Sequence, residues 1–236
     1  IGLDIPIPES HWPELLHEAM RRNGVGNEQT DAYLRITVSR GAGEIGLDPG
    51  LCPRATVVIM AKPLHPSPPV LSRDGVSLTV ANTRRNLPEA LSPQIKSTNF
   101  LNNILAKRES IAAGTFDSLF LNWKDELTEC TVSNLFFISG KTLHTPALDC
   151  GILDGITRTI VMTLAQEEGV PVREGHYHLA DLQRAEECFL TNTSMEIMPV
   201  NRVDSFAIGD GRPGSLTRRL QTRFADSRTR FLEPPS

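Results

Sequence analysis

Apolar residues recur along the chain at two spacings, every second residue and every third or fourth, which predict short strands and amphipathic helices. Near the start, a helix is predicted at "PELLHEAMRR" and strands at "AYLRITVS" and "ATVVIMAK". Later strands are predicted at "GVSLTVA", "FDSLFLN", "VSNLFFIS", "ECFLTN" and "EIMPVNRVD", and helices from Ile156 to Glu168 and from Ser215. Because strands and helices mix without a strict βαβ rhythm, the pattern predicts an α+β fold.

A proline-rich segment interrupts this pattern. The stretch "KPLHPSPPV" contains four prolines, which predict an irregular connection between two domains. With the linker at residues 65–73, a small N-terminal domain covers residues 1–64 and a larger domain covers residues 74–236. The total of 236 residues suits either one large domain or two modest ones.

Composition excludes several classes of protein. The chain is 39% hydrophobic and 22% charged with a net charge of -4, as in a soluble globular protein that binds neither nucleic acid nor an anionic membrane. No apolar run approaches a membrane span, and "IGLDIPIPES" lacks the features of a signal peptide. With no CxxC pair and no histidine at ligand spacing, the cysteines predict a reduced, cytoplasmic protein without disulfides or a metal. They are Cys52, Cys130, Cys150 and Cys188.

A lysine precedes one predicted helix, in "QIKSTNFLNNILAKRES". Lys96 lies behind Pro93 and is followed by Ser97, Thr98 and Asn99, which are helix-capping residues. Apolar residues then recur at helical spacing, so one face of this helix is predicted to be buried. On this stretch alone Lys96 is an ordinary surface residue, since lysine is almost never buried without a reason. The apolar residues are Phe100, Leu101, Ile104, Leu105 and Ala106.

Three further stretches place polar residues beside strongly apolar ones. In "ELTECTVSNLFF", Glu129 comes just before an apolar strand, where a solvated strand face or a catalytic acid would fit. In "CGILDGITRTI", Gly155, Ile156 and Thr157 begin a helix, and a helix N-terminus favours an anion such as phosphate, although a simple capped helix fits equally. In "FLTNTSMEIMPV", a strand stops at residues 191–194, which form either a plain hairpin or a second set of phosphate donors.

Together and in this order, these stretches resemble the class IV aminotransferases that use pyridoxal 5′-phosphate (fold type IV). This family includes branched-chain and D-amino acid aminotransferases and aminodeoxychorismate lyase. The stretch "IKSTNFLNNILAK" resembles the segment of the Schiff-base lysine, and "TECTVSN" that of the glutamate at the pyridine nitrogen. "GILDGITR" resembles the phosphate-binding turn, and "TNTSMEIMPV" the turn that closes over phosphate and substrate. The resemblance implies a small N-terminal α/β domain and a larger C-terminal domain with a pseudo-barrel sheet.

The resemblance also assigns roles to residues. Lys96 is the expected catalytic lysine, which binds the cofactor and moves a proton between the substrate Cα and the cofactor C4′. Glu129 is expected to keep the pyridine nitrogen protonated, and Leu153 to pack against the ring. The expected phosphate ligands are Gly155, Ile156, Thr157 and Thr193. Family members generally form homodimers, so a homodimer or higher homo-oligomer is expected.

The substrate is suggested by "DAYLRITVSRG". Tyr33 and Arg35 match a Y-x-R pattern that receives the substrate carboxylate in branched-chain enzymes. Arg40 matches a carboxylate-binding arginine of D-amino acid enzymes, which many bacterial branched-chain enzymes share; either arginine could instead be a charge at a strand end. Ser194 lies in the turn expected to close over the substrate. The combination favours transamination of a branched-chain L-amino acid with 2-oxoglutarate.

Departures from the family pattern leave alternatives open. Phe100 stands where many branched-chain members have a tyrosine, while Cys130 and Asn192 are closer to aminodeoxychorismate lyases. That lyase is the first alternative, followed by a D-amino acid or (R)-amine transaminase. An inactive family member or a binding protein that keeps the fold is also possible. Family members carry several dozen residues before the equivalent of Ile1, including a phosphate-binding arginine, so a truncated sequence is expected.

Overall fold

The computed structural model describes residues 1–27 and 31–231. The chain forms two compact units, Ile1–Pro66 and Ser67–Ser236. Their boundary falls inside the linker predicted at residues 65–73. That linker is not irregular throughout, because helix α2 (Pro69–Asp74) begins within it. A proline in the first turn of a helix is compatible with helical structure, since the missing N–H has no intrahelical partner there.

In its described residues, the first unit contains one α-helix, one β-hairpin and two short 3-10 helices. Helix α1 (Trp12–Asn23) has Pro13 in its first turn and ends at Gly24, whose φ of 63° is readily adopted by glycine. Strands β1 (Ala32–Ser39) and β2 (Thr56–Pro63) pair antiparallel along their whole lengths, and α1 packs against β2.

The second unit contains the remaining helices and strands. The helices that follow α2 are α3 (Leu101–Ala113), α4 (Ile156–Glu167), α5 (Leu179–Gln183) and α6 (Ser215–Asp226). The strands are β3 (Val76–Val80), β4 (Asp117–Leu121), β5 (Leu127–Cys130), β6 (Asn134–Ser139), β7 (Thr142–Pro146), β8 (Val172–Gly175), β9 (Glu187–Asn192), β10 (Glu196–Val203) and β11 (Phe206–Ala207). The predicted α+β class is confirmed. Among the described residues, no helix is long and apolar enough to cross a membrane.

Six strands of the second unit close into a ring. Strand β10 pairs with β3, β3 with β4, β4 with β5, β5 with β6, β6 with β9, and β9 with β10. The pairs β10–β3 and β3–β4 are parallel and the others antiparallel. One buried apolar cluster draws side chains from all six strands, and a second packs α4 and α6 against β6 and β9. This ring is the predicted pseudo-barrel.

The helix predicted after Lys96 differs from the observed one in two respects. It begins at Leu101, so Lys96 lies in the irregular segment before α3. Most of the face predicted to be buried is exposed: Leu101 and Ile104 are 64% and 55% exposed, whereas Ala106 is buried as predicted, together with Ser110. Helical periodicity shows that a face is apolar but does not show which surface covers it. Among the described residues, α3 packs on β3 and β4 through its other side and leaves Leu101 and Ile104 exposed.

Candidate active site

Glu129 is a buried carboxylate held by three donors. It lies on β5, and the guanidinium of Arg85 donates to its Oε1 at 2.6 Å; each of the two side chains is 7% exposed. Its Oε2 accepts from the backbone N–H of Leu153 at 3.1 Å and from Nδ2 of Asn134 at 3.2 Å. A buried charge needs such partners, because an unpaired one is strongly destabilising. The solvated-face interpretation of Glu129 is therefore wrong.

The protonation of Glu129 is set by opposing effects. Burial raises the pKa of Glu129 to about 7, while Arg85, the Leu153 N–H and the positive charge of Lys96 act to lower this pKa. The charge of Lys96 thus acts on Glu129, although its own side chain is exposed. Arg85 and Lys96 together favour the ionised carboxylate.

Arg85 is a site residue that the sequence reasoning missed. Besides Glu129, its guanidinium contacts the side-chain oxygens of Asn102 and Asn103 at the start of α3. The sequence offered only an arginine pair, Arg84 and Arg85, with Arg85 lying 11 residues before Lys96. Nothing in that pattern identifies which arginine is buried or that its partner lies 44 residues further on.

Asn134 connects Glu129 to the turn that begins α4. Its Nδ2 also donates to the carbonyl of Leu153 at 2.8 Å. A Cβ on Gly155 would lie only 2.1 Å from Oδ1 of Asn134, so this position leaves no space for a side chain. Gly155 precedes α4 and gives its N-terminus no side-chain cap, with Ile156 exposed and Thr157 buried. The turn is therefore closely packed, and the first N–H groups of α4 have no partner within the helix.

The turn between β9 and β10 is organised by Asn192. Its Oδ1 accepts from the backbone N–H groups of Ser194 and Met195, and its Nδ2 donates to the carbonyl of Val132. Asn192 also pairs with Glu196, so the hairpin interpretation of this stretch is correct. Thr193 and Ser194 lie exposed at its tip. Their roles in binding phosphate and substrate stay predictions.

Three of the predicted substrate residues, Tyr33, Arg35 and Arg40, belong to the first unit. Tyr33 and Arg35 alternate along β1 and so share one face of the hairpin, where the Lys62 amine lies 5.0 Å from the Tyr33 ring centroid. Arg40 donates to the backbone carbonyls of Ile1 and Gly2, at 2.6 Å and 3.2 Å. Arg40 is thus engaged by the main chain, and the roles of these residues in binding the substrate stay predictions.

Comparison with known proteins identifies the family. The model of the family "Amino-transferase class IV" matches residues 1–203, and the chain belongs to this family. A Methanocaldococcus jannaschii protein, provisionally named a branched-chain-amino-acid aminotransferase, is 37% identical over 97% of this chain and 77% of its own. The aminodeoxychorismate lyase of Bacillus subtilis is 32% identical over 88% of this chain and 69% of its own.

Solved structures agree with this assignment. The branched-chain amino acid aminotransferase of Escherichia coli matches with a TM-score of 0.88 and 28% identity, over 95% of this chain and 73% of that chain. Another structural neighbour, also a branched-chain amino acid aminotransferase, was solved with pyridoxamine 5′-phosphate. The protein is therefore a pyridoxal 5′-phosphate-dependent aminotransferase with the predicted fold type IV, and its substrates are an amino acid and a 2-oxo acid.

The residues around Glu129 fit this cofactor. A carboxylate has about four acceptor positions, so Glu129 can accept from a pyridinium N–H in addition to its three donors. Among the described residues, the buried hydroxyls of Ser133 and Thr191 have no hydrogen-bond partner in the protein. Ser133 directly precedes Asn134, and Thr191 pairs with Asn134 across β6 and β9. These two hydroxyls are thus neighbours of Asn134, which contacts the Glu129 carboxylate.

Replacing Gly155 with alanine tests the close packing of the α4 turn. The new Cβ would displace Asn134, and overpacking of this kind destabilises by about 1–3 kcal/mol. We expect a lower melting temperature and weaker cofactor binding, measured by thermal unfolding and cofactor titration. Gly50→Ala is the control, because its Cβ would meet only the side chain of Asp48, at 3.2 Å. If Gly155→Ala matched Gly50→Ala in both measurements, the turn would not depend on this contact.

Proposed function

We propose that the protein transaminates a branched-chain L-amino acid with 2-oxoglutarate. The observation that carries the chemistry is the buried Glu129 carboxylate, on which Arg85, the Leu153 N–H and the charge of Lys96 converge. The substrate class is supported by the branched-chain enzymes among the relatives and structural neighbours.

Lys96 and Glu129 are the proposed catalytic residues. Pyridoxal 5′-phosphate supplies the aldehyde that takes up the amino group and a ring that withdraws electrons from the substrate Cα. Nζ of Lys96 would hold the cofactor and would then, as base and acid, move a proton between the substrate Cα and the cofactor C4′. The ionised Glu129 carboxylate holds the proton on the pyridine nitrogen. Its buried position makes this electrostatic effect stronger than it would be in water.

The remaining cofactor contacts are proposed at the two turns. The N-terminus of α4 is uncapped and its dipole favours an anion, so the N–H groups of Ile156 and Thr157 suit the phosphate. Gly155 permits the close approach of this backbone, and Thr193 adds a hydroxyl from the β9–β10 turn. Leu153, whose N–H is bonded to Glu129, is proposed to pack against the ring.

The substrate contacts are proposed at Tyr33, Arg35, Arg40 and Ser194. A guanidinium matches a carboxylate with two parallel hydrogen bonds, which suits Arg35 to the substrate carboxylate. Arg35→Ala should therefore raise KM for L-leucine at least tenfold, with the exposed Arg21→Ala on α1 as control. Equal KM values in the two variants would show that Arg35 is structural.

The lyase and the D-amino acid enzyme remain second candidates, because relatives with both names match this chain. The structure weakens the residue argument for the lyase. Cys130 is buried in the apolar cluster of the ring, and the amide of Asn192 is occupied by its own turn and by Val132. Both residues therefore have structural explanations that are independent of the substrate.

A homodimer is proposed from the exposed apolar side of α3. Leu101, Ile104 and Leu105 recur at helical spacing on this side, and each is more than a third exposed. Burial of such a patch against a second copy would remove it from water. Sedimentation of the purified protein at micromolar concentration should give a dimer or a larger assembly, and a monomer would contradict the proposal.

A cytoplasmic location is proposed from the cysteines. Cys52, Cys130, Cys150 and Cys188 are all free, as expected in a reducing compartment. Fractionation of the producing cells should recover the activity with cytoplasmic enzymes. Recovery in a secreted or periplasmic fraction would contradict this location.

The substrate proposal is tested by spectra of the cofactor-loaded protein. L-leucine should convert the long-wavelength band of the lysine-bound cofactor to the pyridoxamine 5′-phosphate spectrum, and 2-oxoglutarate should restore it. D-alanine is the matched control and should act at least 100-fold more slowly. A response to D-alanine alone, or pyruvate release from aminodeoxychorismate, would replace the proposed substrate with one of the second candidates.

A further inference from the structure

Three potential metal ligands meet away from the Glu129 carboxylate. Among the described residues, Glu126, Cys150 and His176 form the group of this kind in which all ligand atoms lie within 4.8 Å of one another. Nδ1 of His176 lies 3.6 Å from Sγ of Cys150 and 3.1 Å from Oε1 of Glu126. Glu126 directly precedes β5, Cys150 ends the turn after β7, and His176 follows β8. Three separate loops thus direct a thiol, an imidazole and a carboxylate to one point.

The two distances from Nδ1 of His176, to sulfur and to oxygen, match edges of a zinc tetrahedron. Zinc binds sulfur at about 2.3 Å and nitrogen or oxygen at about 2.0–2.1 Å. Tetrahedral angles then place sulfur and nitrogen about 3.5 Å apart, and nitrogen and oxygen about 3.3 Å apart. The observed separations of 3.6 Å and 3.1 Å agree with both values. A mixed thiolate, imidazole and carboxylate set suits zinc and excludes calcium and magnesium, which prefer oxygen ligands alone.

The surrounding residues orient these ligands. Nε2 of His176 lies 3.3 Å from Oδ2 of Asp149, which is the carboxylate–histidine pairing that fixes the ring of a metal-binding histidine. Asn122 donates through Nδ2 to Oε2 of Glu126 at 2.7 Å and leaves Oε1 directed at His176. Glu126 and Cys150 are buried, while the His176 side chain is 45% exposed and leaves a path for an ion.

The thiol of Cys150 has a carbonyl acceptor beside this group. If Nδ1 of His176 donates to Glu126, the Cys150 thiol donates to the carbonyl of Gly175, at 3.7 Å. Sγ of Cys150 then lies beside Nδ1 of His176 without a hydrogen bond between them, so a shared ion would join the two side chains.

We propose that Glu126, Cys150 and His176 bind one zinc ion, with water as the fourth ligand. Binding forms bonds from zinc to sulfur, nitrogen and oxygen and releases the thiol proton to solvent, with no change of oxidation state. The ion would fix the turn at Cys150, three residues before Leu153. The zinc ion would thereby connect this cluster to Leu153, whose backbone N–H donates to the Glu129 carboxylate. The proposal is independent of the amino acid substrate.

Zinc binding is measured on the untagged, cofactor-loaded protein after dialysis against a chelator. Competition with a chromophoric zinc chelator should show one tight zinc site per chain. Co²⁺ in place of zinc should add a thiolate-to-metal absorbance band and visible bands beyond the cofactor absorbance. Cys150→Ser should abolish the cobalt–thiolate band. Loss of a residue that only orients a ligand, such as Asp149, typically weakens metal binding by about 10–100-fold. Cys150→Ser and His176→Gln should each weaken zinc binding by more than this.

Matched controls separate this site from adventitious binding. Cys52→Ser removes a cysteine from the first unit, and His17→Gln removes an exposed histidine on α1; both should keep parental zinc affinity. His176 is nearly half exposed, so its variant should fold, which thermal unfolding without zinc checks. Equal zinc affinity in His176→Gln and His17→Gln, or no tight site in the parent, would overturn the proposal.

Discussion

Lys96→Ala should abolish transamination and the long-wavelength absorbance of the lysine-bound cofactor without changing the fold. Lys96 lies in an irregular segment and is exposed, so its removal takes no packing from the core. The variant loses both the amine that binds the cofactor and the group that moves the proton. General acid–base catalysis alone contributes about 10²–10⁴-fold, and we expect a loss of at least this size.

Two control variants make this result specific. Lys124→Ala removes another exposed lysine, from the turn between β4 and β5, and should leave activity unchanged. Lys96→Arg keeps the positive charge near Glu129 but cannot form the covalent link, so it should be as inactive as Lys96→Ala. Parental turnover in Lys96→Ala, with its absorbance band intact, would show that another residue binds the cofactor.

Glu129→Gln should slow the half-reaction by about 10²–10³-fold, the usual range for loss of a single electrostatic contact at the reacting centre. The amide cannot hold a proton on the pyridine nitrogen, so the ring withdraws fewer electrons. The same change leaves Arg85 buried without its partner, which typically destabilises by about 3–5 kcal/mol. Single-turnover rates and denaturant unfolding must therefore be measured together.

A double variant separates these two effects. Arg85→Met with Glu129→Gln replaces the buried ion pair by uncharged groups and should recover much of the lost stability. The half-reaction should stay slow, because no carboxylate is restored. If stability and rate recovered together, Glu129 would act only by holding the structure. If neither variant slowed the half-reaction, the proposed role at the pyridine nitrogen would be wrong.

Arg85→Met alone should change the pH dependence. Burial already raises the pKa of Glu129 to about 7, and Arg85 limits this rise. Without Arg85 the pKa of Glu129 moves higher, so the rate should fall at neutral pH and recover at alkaline pH.

The raised pKa also makes the stability of the cofactor-free parent depend on pH. In the folded protein Glu129 keeps its proton up to a pKa of about 7, whereas in the unfolded chain Glu129 loses it above its ordinary pKa of 4.5. This contribution to stability is therefore present below pH 4.5 and lost as pH rises to about 7.

Local patterns predicted the strands and helices, and ordered motifs predicted the family. A continuous apolar run suffices for a strand such as β6, because all of its residues but the last are buried. The resemblance also identified Glu129 and the turn before α4, which the structure joins through Asn134 and Leu153. These features depend on residues that are close in sequence or that belong to a recognisable motif.

Features that depend on distant pairing were not accessible. The Arg85–Glu129 ion pair joins positions 44 residues apart, and a single arginine gives no local sign of burial. The cysteine spacing gave no sign that Cys150 and His176, 26 residues apart, come within 3.6 Å of each other, which happens because β7 and β8 run parallel. The spacing of apolar residues predicted that α3 has an apolar side. It could not show that Leu101, Ile104 and Leu105 on this side are exposed in the single chain.

The closed ring of strands has a consequence for the order in which the protein forms. Strand β9 lies between β6 and β10, so the ring cannot close until the chain has been synthesised beyond these strands. Asn134, which holds Glu129 and Leu153, pairs with Thr191 on β9. Contacts between such distant segments form slowly, because a long loop must be ordered first. We therefore expect the cofactor to bind only after β9 and β10 have joined the ring, so a ribosome-bound fragment that ends before β9 should not hold it.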